Sequence, residues 1–218
     1  MRFADRADAG HRLAGRVEAV LPPGPDRIQV LALPRGGVPV GRPIADRLGV
    51  ELGVLLVRKL GVPGHEELAM GAIAAVGDRI RTVDNREILE QIDLPTDVWQ
   101  RCWEAEAEEL RRRMTRFAPW TASRPDGPVV LVDDGMATGA TMQAAVAAVR
   151  GAGEEADPPP IVVAVPVAAS SAVDNLVAAG AEVVCLDQPE PLLAVGESYR
   201  DFHQLEDSEV ISTLSGSR

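Results

Sequence analysis

Val129-Val130-Leu131-Val132 is an unbroken apolar run, and it ends in two adjacent carboxylates, Asp133 and Asp134. Four apolar residues without alternation read as a strand buried on both faces, as in a parallel sheet covered by helices. A loop of small and hydroxyl residues follows at once, Gly135 to Thr141, and a helix-forming stretch, Met142 to Arg150, comes next. Strand, short loop and helix in that order place the two acids at the carboxyl edge of a parallel sheet, where open α/β sheets bind their ligands.

The loop has its own chemistry. Thr138, Gly139, Ala140 and Thr141 bring backbone amides and two hydroxyls to a helix N-terminus, a ready site for a monophosphate. Two carboxylates beside a phosphate would repel it, so they are expected to face neutral sugar hydroxyls or a bound cation. Mg²⁺ is the hard cation that accompanies diphosphates. The plainer alternative is that Asp133 and Asp134 only cap the turn.

A second unit of this kind lies upstream. Ile28 to Leu33 reads as a buried strand, Pro34-Arg35-Gly36-Gly37 as a tight turn, Pro39 to Leu48 as a helix closed by Gly49, and Glu51 to Val57 as the next strand, ending in Arg58-Lys59. This is a right-handed βαβ unit. Gly36 and Gly37 let backbone amides approach an anion, and Arg35 adds a planar, permanently charged donor fork. Lys59 is the single lysine beside 21 arginines, which draws attention to its place at a strand end.

The rest of the chain is less specific. Residues 3–20 carry a helical apolar pattern, broken by Leu21-Pro22-Pro23-Gly24-Pro25. Gly61 to Glu67 reads as a loop, and Leu68 to Val83 as a hairpin around Gly77-Asp78. Thr96 to Phe117 is the longest helix, with Trp99, Trp103, Leu110, Met114 and Phe117 near one face; core packing is the expected role of the tryptophans and a dimer contact the alternative. Beyond strand 129–133 and helix 140–150 come strand 161–166, a helix from about Ser170 with Ser171 and Asp174 as a capping pair, and strand Glu182 to Leu186. A polar tail from Asp187 onwards should wrap the body.

Net charge is −11 over 218 residues. That argues against nucleic acid as a partner and requires any anionic ligand to be held by local donors. No apolar run reaches the ~18 residues of a membrane span. Cys102 and Cys185 have no metal-type spacing, and the N-terminal MRFADRADAGHRLAGR lacks a signal core, so a cytoplasmic protein with free thiols is expected. There is no HExxH, nucleophile elbow or P-loop.

The segment VVLVDDGMATGAT resembles the 5-phosphoribosyl-1-pyrophosphate (PRPP) signature of type I phosphoribosyltransferases. The blocks LALPRGGVPV, VRKLGVPGHEELAMGAI and CLDQPEPLLAVGESYRDF are similar to a subgroup of bacterial stand-alone proteins whose acceptor is unassigned. The resemblance implies an α/β fold: a mainly parallel five-stranded sheet with helices on both faces, a flexible loop or hairpin, and a small hood. On this reading residues 1–218 are one domain. Its core is about 26–187, the loop and helical insertion about 60–118, and the tail or hood about 188–218.

It also implies roles. Asp133 and Asp134 would bind the ribose hydroxyls, and with Lys59 form the catalytic set. Ala137, Thr138, Gly139, Ala140 and Thr141 would cradle the 5-phosphate. Arg35, Gly36 and Gly37 would contact pyrophosphate, with Arg58 as a further contact. Mg²⁺ would be held through PRPP and water, with no direct protein ligand assigned. The partners would be PRPP and a small acceptor, with neither nucleic acid nor membrane, and possibly a second copy as a homodimer. A mobile loop, Gly61 to Gly77, would close over the site; Glu66, Glu67 and His65 in it are acid/base candidates or ordinary solvated groups. Glu190, Glu197, Tyr199, Asp201 and Phe202 fall in the hood, where Tyr199 or Phe202 would stack on a base or simply pack the tail down. The competing function is a non-catalytic PRPP- or nucleotide-sensing regulator on the same fold; a hydrolase of phosphorylated sugars ranks last.

Overall fold

The fold is that of a computed structural model, described for residues 2–22, 27–77, 79–92, 95–122, 125–151 and 159–216, with the side chains of Glu66, Glu67, Arg86, Glu87 and Thr96 left aside. Five strands form a parallel sheet: β1 (Gln29–Ala32), β2 (Leu52–Val54), β6 (Val129–Val132), β7 (Ile161–Val167) and β8 (Glu182–Asp187), in the order β2-β1-β6-β7-β8. The register decides where the two motifs meet. Val30 pairs with Val130 and Ala32 with Val132, so the loops after β1 and β6 leave the sheet side by side.

Alternation along the strands divides the core into two layers. Val30, Ala32, Val130, Val132, Val162 and Ala164 face α1 (Arg6–Val20) and α2 (Gly37–Leu48), against Leu13, Val17, Val38 and Ile44. Leu31, Leu131, Val163 and Val165 face the other way, against Met142, Val146 and Leu176 of α5 (Ala140–Gly151) and α6 (Ser170–Ala178). All four residues of β6 are buried, which is what an apolar run without alternation demands. Full burial of each such side chain is worth about 1.5–3 kcal/mol, so Leu131→Ala should cost roughly 2–5 kcal/mol.

The second strand departs from the reading made of it. β2 ends at Val54, and after Leu55 the chain enters a separate antiparallel sheet of β3 (Leu56–Val62), β4 (His65–Val76) and β5 (Arg79–Asp84). Arg58 and Lys59 therefore lie inside β3, opposite Ile73 and Ala72, and not at the edge of the parallel sheet. The stretch 61–67 expected as a loop is strand except for the turn at Pro63-Gly64, where Gly64 has φ 80°. The ladder continues to Val62 and His65 because the apolar residues of β3 and β4 have a face to bury: α4 (Thr96–Phe117) packs on one side and α5 on the other. The expected hairpin exists in β4 and β5; Asp78 at its turn lies outside the described residues, as do the side chains of Glu66 and Glu67 and residues 152–158 of the loop before β7.

A short helix α3 (Arg86–Gln91) precedes α4. Trp99 and Trp103 pack partly buried against the main core, and the Trp103 indole donates to Thr82 Oγ1 at 2.9 Å. At α6 the expected Ser171–Asp174 pair makes no cap: Ala169 is the N-cap residue, and the hydroxyl of Ser170 donates to Glu190. The capping box is instead at α7 (Asp207–Leu214), formed by Glu206 and Glu209. Among the described residues no helix is long and apolar enough to cross a membrane.

Candidate functional site

The two loops that leave β1 and β6 pack onto each other. Leu33 N donates to Val132 O at 2.8 Å and Gly37 N to Leu33 O at 3.0 Å, which folds Pro34-Arg35-Gly36-Gly37 back over the end of β6. A side-chain carbon at Gly36 would overlap the Asp134 carboxyl, and one at Gly37 would overlap the Val132 carbonyl oxygen. Glycine is required here by close approach, since neither residue has positive φ. Residues 98 positions apart in sequence (134 − 36) thus form one surface.

Both loops end on helix N-termini. Gly36 is the N-cap of α2, and Ala140 begins α5, so two positive dipole ends lie at the same sheet edge, with the Gly37 and Val38 amides of α2 already engaged by the Leu33 and Arg35 carbonyls. In the second loop Gly139 takes φ 73°, and the Ala140 amide donates weakly to Thr138 Oγ1 at 3.4 Å. Ala137, Thr138 and Thr141 are exposed, open to a ligand, while Gly139 is buried against Ala172. No basic side chain stands in this loop, so an anion there would be held by amides and hydroxyls.

The carboxylates are half-buried and differ in their partners. Asp133 Oδ1 accepts from the Asp134 amide at 2.9 Å. Burial first, and then the neighbouring Asp134 charge, pushes its carboxyl well above the usual range. Burial also raises Asp134, but Arg6 opposes this, donating from Nε to Oδ2 at 2.8 Å. Both acids are therefore biased toward their neutral forms, Asp133 more strongly because Arg6 offsets part of the burial at Asp134.

Arg6 was not singled out from sequence. It lies in the first turn of α1, and its side chain is only 9% exposed. Besides Asp134 it donates from Nη1 to the His203 carbonyl at 3.0 Å and lies 3.9 Å from the Phe202 ring centre. An arginine in an N-terminal helix carries no signal of this kind; only the tail folding back over Asp134 gives it a role.

The tail and the N-terminal arm form this cover together. Phe3 bridges to Tyr199. Tyr199 is 2% exposed, and its hydroxyl donates to the Asp134 carbonyl at 2.6 Å. Burial raises its pKa far above that of an ordinary phenol. Its ring stacks on Phe202 at 4.9 Å. Tyr199 therefore packs the tail down and is closed to an incoming base, and Phe202 is held by Tyr199 and Arg6. A cavity of about 340 Å³ lies between this cover and the first loop, bordered by Arg6, Arg35, Gly36, Phe202, His203 and Gln204.

Arg58 and Lys59 are separated by strand alternation. Arg58 turns toward α4 and pairs with Glu106 at 2.5 Å. Lys59 shares the opposite face with Val57, which packs against the cluster containing α5. Among the described residues no group of three or more His, Cys, Asp or Glu side chains could hold a metal ion.

The sequence profile of the phosphoribosyl transferase domain matches residues 24–176. Two proteins from strains of Mycobacterium tuberculosis that carry provisional phosphoribosyl transferase names are 40% identical over 214 residues, 97% of this chain and 46% of theirs. The chain thus spans about half the length of the curated relatives it matches. A crystal structure of a protein from Thermus thermophilus superimposes with TM-score 0.83 at 44% identity, covering 98% of each chain.

Proposed function

Because this chain belongs to the phosphoribosyl transferase domain family, we propose that it transfers the phosphoribosyl group of PRPP to a small acceptor, displacing pyrophosphate at ribose C1. The observation that carries the reading is the contact of Gly36 with Asp134, which sets an amide-rich turn on α2 directly beside paired acids and a phosphate-type loop on α5. A ligand with a monophosphate at one end, vicinal hydroxyls in the middle and a diphosphate at the other fits that sequence of groups.

In this reading Thr138 to Thr141 anchor the 5-phosphate, Asp133 and Asp134 accept from the ribose hydroxyls, and Arg35 with the Gly36 amide takes the pyrophosphate, while Gly37, whose amide bonds the Leu33 carbonyl, lets the turn pack closely on β6. Arg6 fixes the rotamer of Asp134, and so the angle at which the sugar is held. As the C1–oxygen bond lengthens, positive charge grows on the ring beside the two acids and negative charge on the leaving group beside the positive end of α2 and Arg35. Mg²⁺ fits here: half-buried carboxylates whose ionised forms are disfavoured gain from a nearby cation. Asp133 and Asp134 would face it through water and ribose oxygens, and its chemistry would be to neutralise the leaving diphosphate. The tail keeps water from the reacting carbon, and the cavity it borders with Gln204 is where the acceptor would approach.

Calorimetry with Mg²⁺ and PRPP, followed by an acceptor screen that reads pyrophosphate release, tests this. PRPP binding lost in Asp133→Asn with Asp134→Asn, together with release on adding an acceptor, is expected. Binding unchanged by both substitutions would sink it. Tight binding without turnover across acceptors would favour a PRPP sensor.

A further inference from the structure

The C-terminal half of α4 turns three arginines toward the first loop. Arg112, Arg113 and Arg116, with Arg35, line a cavity of about 330 Å³ that also contains Glu109 and Asp207. The helix dipole accounts for basic residues near a helix C-terminus. It does not account for their convergence on a further arginine from another part of the chain. Arg111, as well placed along the axis, lies instead 5.9 Å from the Trp103 ring and does not line the cavity.

Four guanidinium groups face two carboxylates, a surplus of two positive charges in a chain of net charge −11. Glu109 is shared, accepting from Arg112 at 2.6 Å and Arg113 at 3.1 Å, and Arg116 pairs with Asp207. Among the described residues Arg35 has no ion-pair partner. Each guanidinium has five N–H donors, and these two acids satisfy only a minority of them. Gathered like charges disfavour the fold unless an anion joins them. The volume is at the small end of ligand cavities. Fork geometry and a double surplus both suit a phosphate dianion.

We propose that this cavity is a binding site for a small phosphorylated anion, a phosphomonoester or polyphosphate, separate from the loop at Thr138–Thr141 and coupled to the first loop through Arg35. Arg35 borders both this cavity and the one under the tail. An occupant that orders Arg35 changes the donors offered to a ligand on the other side, and the coupling must run both ways. The inference does not depend on PRPP being the donor.

The test is calorimetry of the full chain with inorganic tripolyphosphate as probe. Arg112→Ala with Arg116→Ala should weaken probe binding about tenfold or more, as expected for loss of charge-assisted hydrogen bonds. Arg101→Ala with Arg111→Ala removes the same charge from the same helix outside the cavity and should leave binding nearly unchanged. Arg112→Gln with Arg113→Gln keeps the Arg116–Asp207 pair and carries the test if the first variant fails to fold. Equal weakening by cavity and control variants, or none by either, overturns the site. Tripolyphosphate should also shift the affinity for Mg²⁺–PRPP in the wild type and not in Arg112→Gln/Arg113→Gln; no shift in the wild type overturns the coupling. If PRPP fails to bind at all, the transferase reading falls, while the probe results still decide the cavity.

Discussion

Gly36 and Asp134 touch across the seam between β1 and β6: a side-chain carbon at Gly36 would stand 2.8 Å from Asp134 Oδ1, and closer still to Cγ and Oδ2. The atoms in the way belong to a side chain. Those facing Gly37 belong to the backbone, the Val132 carbonyl and, at 3.1 Å, the Asp133 Cα.

That difference separates two substitutions. Gly36→Ala can be accommodated by swinging the Asp134 carboxyl off Arg6, so PRPP binding should be lost while the loss of stability is confined to that one contact. Gly37→Ala must push β6 aside and should cost about 1–3 kcal/mol, as overpacking does. Thermal melts and PRPP titrations on both variants check this. Equal loss of stability in the two would show that the Gly36 contact is structural only.

Asp133 is costly to the fold. Its carboxyl is raised by burial and by Asp134, and a raised acid destabilises the native state as pH climbs from the ordinary 3.8 through its folded value. Asp133→Asn keeps the acceptor for the Asp134 amide and removes the charge. Without ligand it should be the more stable protein by about 1 kcal/mol, raising Tm by roughly 2–4 °C at neutral pH, while PRPP binding is abolished. A lower Tm than wild type at pH 7 would contradict the assigned cause.

These two acids also mark how much was legible in the sequence. The β6 run and its loop were readable because an all-apolar strand followed by small residues has few folded outcomes. A parallel sheet followed from the strand–turn–helix units, while its five strands with helices on both faces came with the resemblance to type I phosphoribosyltransferases. The break at Leu55 was not readable: Glu51 to Val57 is one apolar run, and only the pairing of Leu56 with Ala75 shows that the chain changes sheets. Lys59 was accordingly expected at the wrong kind of position. Tyr199 and Arg6 were opaque for a different reason. Their roles come from contacts at sequence separations of 65 and 128, and no local pattern encodes which distant carboxylate an arginine will meet.

Arg6 offers a sharper test than deletion of either acid. Arg6→Lys keeps the charge but loses the fork that reaches both Asp134 and the His203 carbonyl. The cost should be about 1–3 kcal/mol from the groups left unpaired. With less opposition to burial, the Asp134 pKa should rise further, so the acid limb of the PRPP-binding pH profile should move to higher pH. Titrations from pH 5 to 8 read this directly; a profile that weakens without moving would mean that Arg6 holds the tail and does not tune Asp134.

His203 makes the cover itself sensitive to pH. Its ring faces Asp201 at 2.9 Å and Glu209 at 3.2 Å, and these carboxylates, Asp201 first, raise it above its ordinary 6.5. A raised histidine stabilises fully below pH 6.5, and that contribution is lost as pH rises through the folded value. Asp201 is lowered from 3.8, mainly by His203, and Glu209 from 4.5, first by the Glu206 amide and then by His203, so their contributions are present above those values and vanish as pH falls through the folded ones. Arg6, bonded to the His203 carbonyl, is the cation facing this cluster from α1. The tail should therefore be held best between about pH 4.5 and 6.5 and loosen above it. Amide exchange at residues 199–206 should quicken from pH 6 to 8 beyond the intrinsic pH effect, and His203→Gln should remove that excess. Identical exchange profiles for wild type and variant would show that the His203 pairs do not hold the tail.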